Sequence, residues 1–289
     1  MSESAGQRLV VRKTYKLFIG GAFPRSESGR TLVVNDTKGH FLAHASRASR
    51  KDVRDAVVAA RKAFEPWAGR TAYNRGQILY RIAEMLEGRQ AQFVEELRAA
   101  GLGKAAASAE VGAAVDRWVW YAGWADKLAA VHGSANPVAG PFFNFSTPEP
   151  TGVVGVLAPD SALLGLVSVL APVIVSGNTC VLVASEPAPL PAVTLAEVLA
   201  TSDLPGGVVN ILTGQRAELA PWLASHMDLN ALDLAGVEAG QVPVLEEAAA
   251  GNLKRVLRPQ EGADWSAAPG TGRMTAFLET KTVWHPVGV

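Results

Sequence analysis

Cysteine is nearly absent from this chain: a single residue, Cys180, in 289. One thiol forms no internal disulfide, which fits a reducing compartment and makes the cytoplasm the default expectation. Net charge is absent as well. The 27 basic and 27 acidic residues cancel, and no basic block or arginine stripe breaks the balance, so nothing here attracts nucleic acid electrostatically. The opening stretch "MSESAGQRLVVRKTYK" has no long apolar core of the kind a secretory leader needs. Charge is scarcest between Thr151 and Ser185, where Asp160 stands alone. A membrane helix takes about 20 apolar residues, but Pro159, Pro172 and the Gly177-Asn178 pair punctuate the run. It reads as strand, turn, buried helix, turn and strand, and no membrane is expected.

Catalytic motifs are missing too. There is no G-x-S-x-G elbow, no P-loop and no G-x-G-x-x-G after a strand. The five histidines are His40, His44, His132, His226 and His285. Only the first two are close, in an extended region where their spacing does not converge, so no metal site is expected. Cys180 opens the β-branched run "TCVLVA", far from any histidine, and reads as a buried structural thiol.

What remains is a pattern of elements. The first fifty residues look extended. Three helical stretches follow, at "SRKDVRDAVVAARKAFEPWAG", "NRGQILYRIAEMLEGRQAQFVEELRAAG" and "SAEVGAAVDRWVWYAGWADKLAAVHG", the first with Ser49 or Asp52 near its start as cap or first-turn acid. An extended ribbon, "PFFNFSTPEPTGVVGVL", comes next. From Gly152 onward the short runs "GVVGVLA", "TCVLVA", "GVVNIL", "LNALDLA" and "LKRVLR" alternate with helical segments near 161–175, 190–202, 215–225 and 237–250. That rhythm predicts an α/β fold with a doubly wound parallel sheet. Ligands of such sheets sit at the carboxyl ends of the strands, which directs attention to the turns after Leu157, Val183, Leu212 and Leu234. Glu186 lies there, as a ribose acceptor or as a solvated turn carboxylate near a helix start. Gly214 and the glycine turn "AGVEAG", with Gly236 and Gly240, are the other candidates, a weak phosphate-cradle signal. Beyond Arg258, "RPQEGADWSAAPGTGR" reads as a linker, before a closing strand in "KTVWHPVGV".

These stretches resemble the aldehyde dehydrogenase superfamily. The likeness begins at "YKLFIGGAF", runs through "DVRDAVVAARKAFEPWAGRTAYNRGQILYRIAEMLE", and is most specific at "WYAGWADK". It continues through "PEPTGVVGVLAP", "LAPVIVSGNTCVLVASEPAPL", "DLPGGVVNILTG" and "AAAGNLKRV", then stops near Val256 and resumes at "FLETKTVW". The resemblance implies a nucleotide-binding domain over 1–258, with an oligomerisation ribbon near 140–155. A linker at 259–276 then stands in place of the catalytic domain, followed by a terminal oligomerisation strand at 277–289.

Position by position, the resemblance implies loss of the chemistry. The family's nucleophilic cysteine falls beyond the point where the likeness breaks off, and Cys180 matches an apolar strand position instead. The oxyanion asparagine turn has become "PDSALL", with Asp160 or Ser161 nearest, and an acid there repels a developing anion. The ribose lysine is Val183, the general-base glutamate falls at Pro259, and the "GSTxxG" turn is "AGVEAG". Glu186 does match the ribose acid, so Glu186, Gly214, Gly236 and Gly240 are carried forward as cofactor contacts, working or vestigial. NAD or NADP is the implied cofactor, weakened by these changes. No catalytic residue is assigned. The implied role is a noncatalytic subunit partnering a full-length aldehyde dehydrogenase. The alternatives are a homo-oligomeric NAD(H)-binding sensor or scaffold, and a residual aldehyde oxidoreductase.

Overall fold

The structure, a computed structural model, describes residues 13–288. Most of the stretch read for a leader, and Val289 of the closing segment, lie outside the described residues. The chain begins with a small sheet of β1 (Thr14–Tyr15), β2 (Thr31–Asn35) and β3 (Phe41–Ser46), ordered β1-β3-β2. Between β1 and β2 the chain bridges singly rather than forming a strand, with the Phe18 amide donating to the Ile211 carbonyl at 2.9 Å.

Five helices follow: α1 (Arg50–Ala68), α2 (Ala72–Glu87), α3 (Gln90–Ala99), α4 (Lys104–Ala122) and α5 (Leu128–His132). Ser49 caps α1 in a reciprocal box: the Asp52 amide donates to Ser49 Oγ, and the Ser49 amide donates to Asp52 Oδ2 at 2.7 Å. Two of the three expected helical stretches are divided, at Gly88–Arg89 and again at residues 123–127. Buried side chains keep helical spacing across each break, Leu86 and Phe93 at the first and Tyr121, Ala125 and Leu128 at the second.

A second ribbon sheet and the central sheet complete the chain. Its elements are β4 (Ser134–Asn136), β5 (Phe142–Pro150), β6 (Val153–Leu157), α6 (Leu164–Val175), β7 (Thr179–Val183), α7 (Leu190–Ala200), β8 (Val209–Leu212), α8 (Arg216–Ser225), β9 (Ala231–Asp233), α9 (Val242–Ala250), β10 (Arg255–Leu257), α10 (Gly272–Thr275) and β11 (Leu278–Pro286). The central sheet is parallel throughout and ordered β10-β9-β6-β7-β8, so the strand order reverses between β6 and β9. The doubly wound α/β fold is as the sequence rhythm predicts.

Alternation along the strands assigns the two layers. Val154, Val156, Cys180, Leu182 and Ile211 face a core shared with α2, α4, α6 and α7; Val153, Val181, Val183 and Leu212 face a second core under α1, α8 and α9. All twelve residues of α6 are buried, which accounts for its uninterrupted hydrophobicity. No helix among the described residues is long and apolar enough to cross a membrane. The third sheet, β11-β5-β4, is an antiparallel ribbon in which β11 pairs with β5 from Leu278–Pro150 to Pro286–Phe142.

Residues 259–271, linker-like by composition, have no regular secondary structure but are tied to the sheet. Met274 and Phe277 are fully buried in the larger core, and Asn178 Nδ2 donates to the Phe277 carbonyl at 2.8 Å.

Candidate functional site

The reversal of strand order between β6 and β9 places a crevice at their carboxyl ends, and the turns after β7 and β8 extend the same edge. Each residue singled out from the sequence stands on this edge. Glu186 is exposed, just past β7, and its Oε2 accepts from the Arg216 amide at 3.1 Å. That amide opens α8, so the carboxylate sits at a helix N-terminus, where the dipole favours it. Gly214, after β8, is packed against Ala48 and Leu219. Gly240 is exposed, with open space where a side chain would be. Gly236 lies at the crevice itself, its amide donating to the Leu157 carbonyl at 2.8 Å.

Two residues that composition did not flag organise this edge. The Arg216 guanidinium, mostly buried, donates to Asp160 Oδ1 at 2.7 Å and to the Ala158 carbonyl at 3.2 Å. Ser185 Oγ donates to the same Asp160 oxygen at 3.4 Å. The turn after β6 is thus closed by an ion pair. Asp233, wholly buried at the end of β9, is bound by Arg273 from the segment before β11, and accepts from the Ala235 amide at 3.0 Å. Burial pushes the Asp233 carboxyl up, with Arg273 and the Ala235 amide opposing. Its position in an apolar strand run was the available signal; its partner, forty residues on, was not legible.

The edge fits a dinucleotide only in part. Between α8 and α9 lies an apolar cleft of about 210 Å³ lined by Ala217, Ala220, Pro221, Gly240, Val244 and Leu245, with Glu186 near the start of α8. The phosphate cradle does not fit. The amides of Ala235, Gly236 and Val237 are already engaged by Asp233, Leu157 and Leu234, and a buried carboxylate stands beside them. A pyrophosphate there finds those donors occupied.

Cys180 is fully buried, and burial drives its thiol far above the usual range, so it holds no thiolate at neutral pH. Thiol reagents are therefore expected to leave native Cys180 unmodified and to label it only as fast as the chain unfolds. Rapid stoichiometric labelling without denaturant would contradict this placement. Among the described residues, no group of histidine, cysteine and acidic side chains is arranged to hold a metal.

The family model described as "Aldehyde dehydrogenase family" matches residues 23–265. Cytosolic aldehyde dehydrogenase 1 of Elephantulus edwardii is 35% identical over 250 residues, covering 83% of this chain and 49% of that protein. Cytosolic 10-formyltetrahydrofolate dehydrogenase of Mus musculus is 33% identical over 264 residues, 88% of this chain and 29% of that protein. Among solved structures, the NAD+ complex of aldehyde dehydrogenase from Bacillus cereus superposes with a TM-score of 0.80 at 27% identity, over 84% of this chain and 50% of that one. HpcC from Thermus thermophilus gives the same TM-score of 0.80 at 31% identity, over 84% of this chain and 47% of that one. The chain spans half the length, or less, of these proteins.

Proposed function

The chain belongs to the aldehyde dehydrogenase family, and from that premise we propose that it serves as a noncatalytic subunit, assembling through its ribbon with a complete NAD(P)-dependent aldehyde dehydrogenase. The ribbon carries this reading. β11 leaves its outer edge unpaired among the described residues, and the aromatic side chains of Phe142, Phe143 and Trp284 stand 42%, 52% and 58% exposed on the same sheet. Phe142 and Trp284 meet edge-on at 5.7 Å to form an apolar surface on one face of the ribbon, and Phe143 stands on the other face against Phe145, ring centroids 5.5 Å apart. An open strand edge beside such a surface invites another strand. In this reading, 1–258 is a nucleotide-binding-type domain, 259–276 stands in place of a catalytic domain, and 277–289 supplies the assembling strand. The family's reaction runs through a cysteine thiolate, and the one cysteine of this sequence is sealed in the core, which supports a noncatalytic role.

Native mass spectrometry of the tagged chain isolated from its own host is expected to show a heavier second chain in fixed stoichiometry, with aldehyde dehydrogenase activity belonging to that chain. Phe143→Ser combined with Trp284→Ser should abolish the association while leaving the melting temperature of the isolated chain nearly unchanged. A monomer, stable and partnerless, would defeat the proposal.

The apolar cleft between α8 and α9 favours one second reading, a homo-oligomeric binder of NAD(H). With the Ala235–Val237 amides occupied, only the adenosine half of the cofactor gains from this surface. A self-assembly that binds AMP as tightly as NAD would select that reading over the first.

A further inference from the structure

Away from the ribbon and the α8–α9 cleft, the segment before β11 closes over α4 and α6 to leave a cleft of about 610 Å³ lined by Arg117, Tyr121, Ser168, Arg258, Trp265 and Arg273. Three of these are guanidinium groups, and their counter-ions differ. Arg258 pairs with Glu246 at 2.6 Å, and Arg273 pairs with Asp233. Arg117 has no carboxylate partner among the described residues. Its side chain is buried at 8% exposure, with Nη1 donating to Ser168 Oγ at 2.6 Å and Nη2 donating to the Trp265 and Ala267 carbonyls at 2.9 Å each. Neutral acceptors orient the fork, but leave its charge uncompensated in a region of low dielectric. The one lining carboxylate, Asp264, is exposed and accepts from Ser266.

Tyr121 supplies an independent observation. One helical turn after Arg117, it is 2% exposed, and its hydroxyl has no hydrogen-bond partner among the described residues although it lines the cleft. Burial raises this phenol to about 12, so it remains a protonated donor throughout the neutral range. An uncompensated cation and an unused O–H donor on consecutive turns of α4 therefore face one cavity, and the half-buried Trp265 forms part of its wall.

We infer that this cleft is a binding site for a small organic oxyanion, with Arg117 as its charge partner, Tyr121 as hydrogen-bond donor and Trp265 as the surface for the ligand's apolar part. A carboxylate and a phosphate share the chemistry that Arg117 recognises, and titration separates them. The inference is independent of the partner subunit, because every contributing residue lies in this chain.

The test is calorimetric titration of the purified full chain with benzoate and, separately, with inorganic phosphate, in buffer free of other oxyanions. Saturable binding of benzoate identifies a carboxylate site, and saturable binding of phosphate alone identifies a phosphate site. Tyr121→Phe preserves the packing and is expected to keep the melting temperature while weakening the responding anion several-fold. Arg117→Lys, which keeps the charge but loses the fork, is expected to weaken it by about tenfold or more. Were Arg117 only a staple for residues 265–267, its replacement would lower the melting temperature and no anion would bind at any accessible concentration. Absence of binding by both anions, or binding indifferent to both substitutions, overturns the inference.

Discussion

Replacing Arg273 with methionine is expected to destabilise the chain by about 3–5 kcal/mol, the range for removing one partner of a buried ion pair. Asp233 is fully buried at the end of β9, and Arg273 is its one cationic contact among the described residues. Without it, the carboxyl must either stay charged among Leu and Val side chains or take up a proton. The asymmetry of the pair sharpens the expectation. The Arg273 side chain retains 18% exposure, so Asp233→Asn leaves a cation that can reach water and should cost less than Arg273→Met. The double replacement Asp233→Leu with Arg273→Met removes both charges and should recover most of the loss, since buried pairs are often replaced by apolar residues at little cost. Denaturant unfolding of the intact chain, Asp233→Leu, Arg273→Met and the double replacement completes the cycle.

The pH dependence has a defined sign. Burial already raises the Asp233 carboxyl in the intact chain, and Arg273→Met removes the chief opposing influence. A group raised on folding stabilises fully below its unfolded pKa and loses that contribution as pH rises through its folded pKa. The deficit of Arg273→Met relative to the intact chain is therefore largest at neutral pH and narrows in acid. A deficit that widened with acidification would mean that Asp233 is not the group responsible. The pair also bears on the segment before β11. With Met274 and Phe277 buried and Arg117 holding two of its carbonyls, that segment is fastened from three directions.

The parallel sheet was legible because its physics is local. Strands covered on both faces are predominantly apolar, and each run from "GVVGVLA" to "LKRVLR" carries β10, β9, β6, β7 or β8 within it. The α1 cap was equally legible, since Ser49 and Asp52 stand at the spacing the reciprocal bonds require. The break between α2 and α3 was not. Leu86, Phe93 and Leu97 keep helical spacing across Gly88 and Arg89, so periodicity carries no trace of the break. At the candidate site, Glu186 stood out in the sequence because an acid after a parallel strand is a recognisable signal. Arg216 there, and Arg117 in the separate cleft over α4 and α6, were missed because their meaning depends on contacts 56 and 51 residues distant, with Asp160 and Ser168. Composition gave "RPQEGADWSAAPGTGR" the texture of a linker, although Arg273 and the residues after it anchor it through single long-range contacts that no local pattern records.

Gly236→Ala is the substitution expected to do most damage for its size. An added Cβ would lie 2.0 Å from the Ala158 carbonyl oxygen, 2.6 Å from its carbon and 3.1 Å from the Leu157 oxygen. These atoms are backbone at the end of β6, fixed by the ladder to β7, and no rotamer change relieves the overlap. The β9 turn must therefore withdraw from β6, and its withdrawal breaks the bond from the Gly236 amide to the Leu157 carbonyl. The cost should be about 3 kcal/mol or more, beyond ordinary overpacking because main chain rather than side chain must move. Gly240→Ala provides the control, for nothing lies within 4 Å of its added Cβ, and a change within about 0.5 kcal/mol is expected at such a surface position. The contrast separates two roles that the glycine turn suggested together. A glycine kept for close approach to a bound phosphate would, when replaced, lose affinity while the apo-chain kept its melting temperature. A glycine kept for contact between two strand ends loses stability whether or not any ligand is present. With its amide donating to Leu157 and its α-carbon against Ala158, Gly236 falls in the second class, and thermal unfolding of the ligand-free Gly236→Ala chain decides the matter.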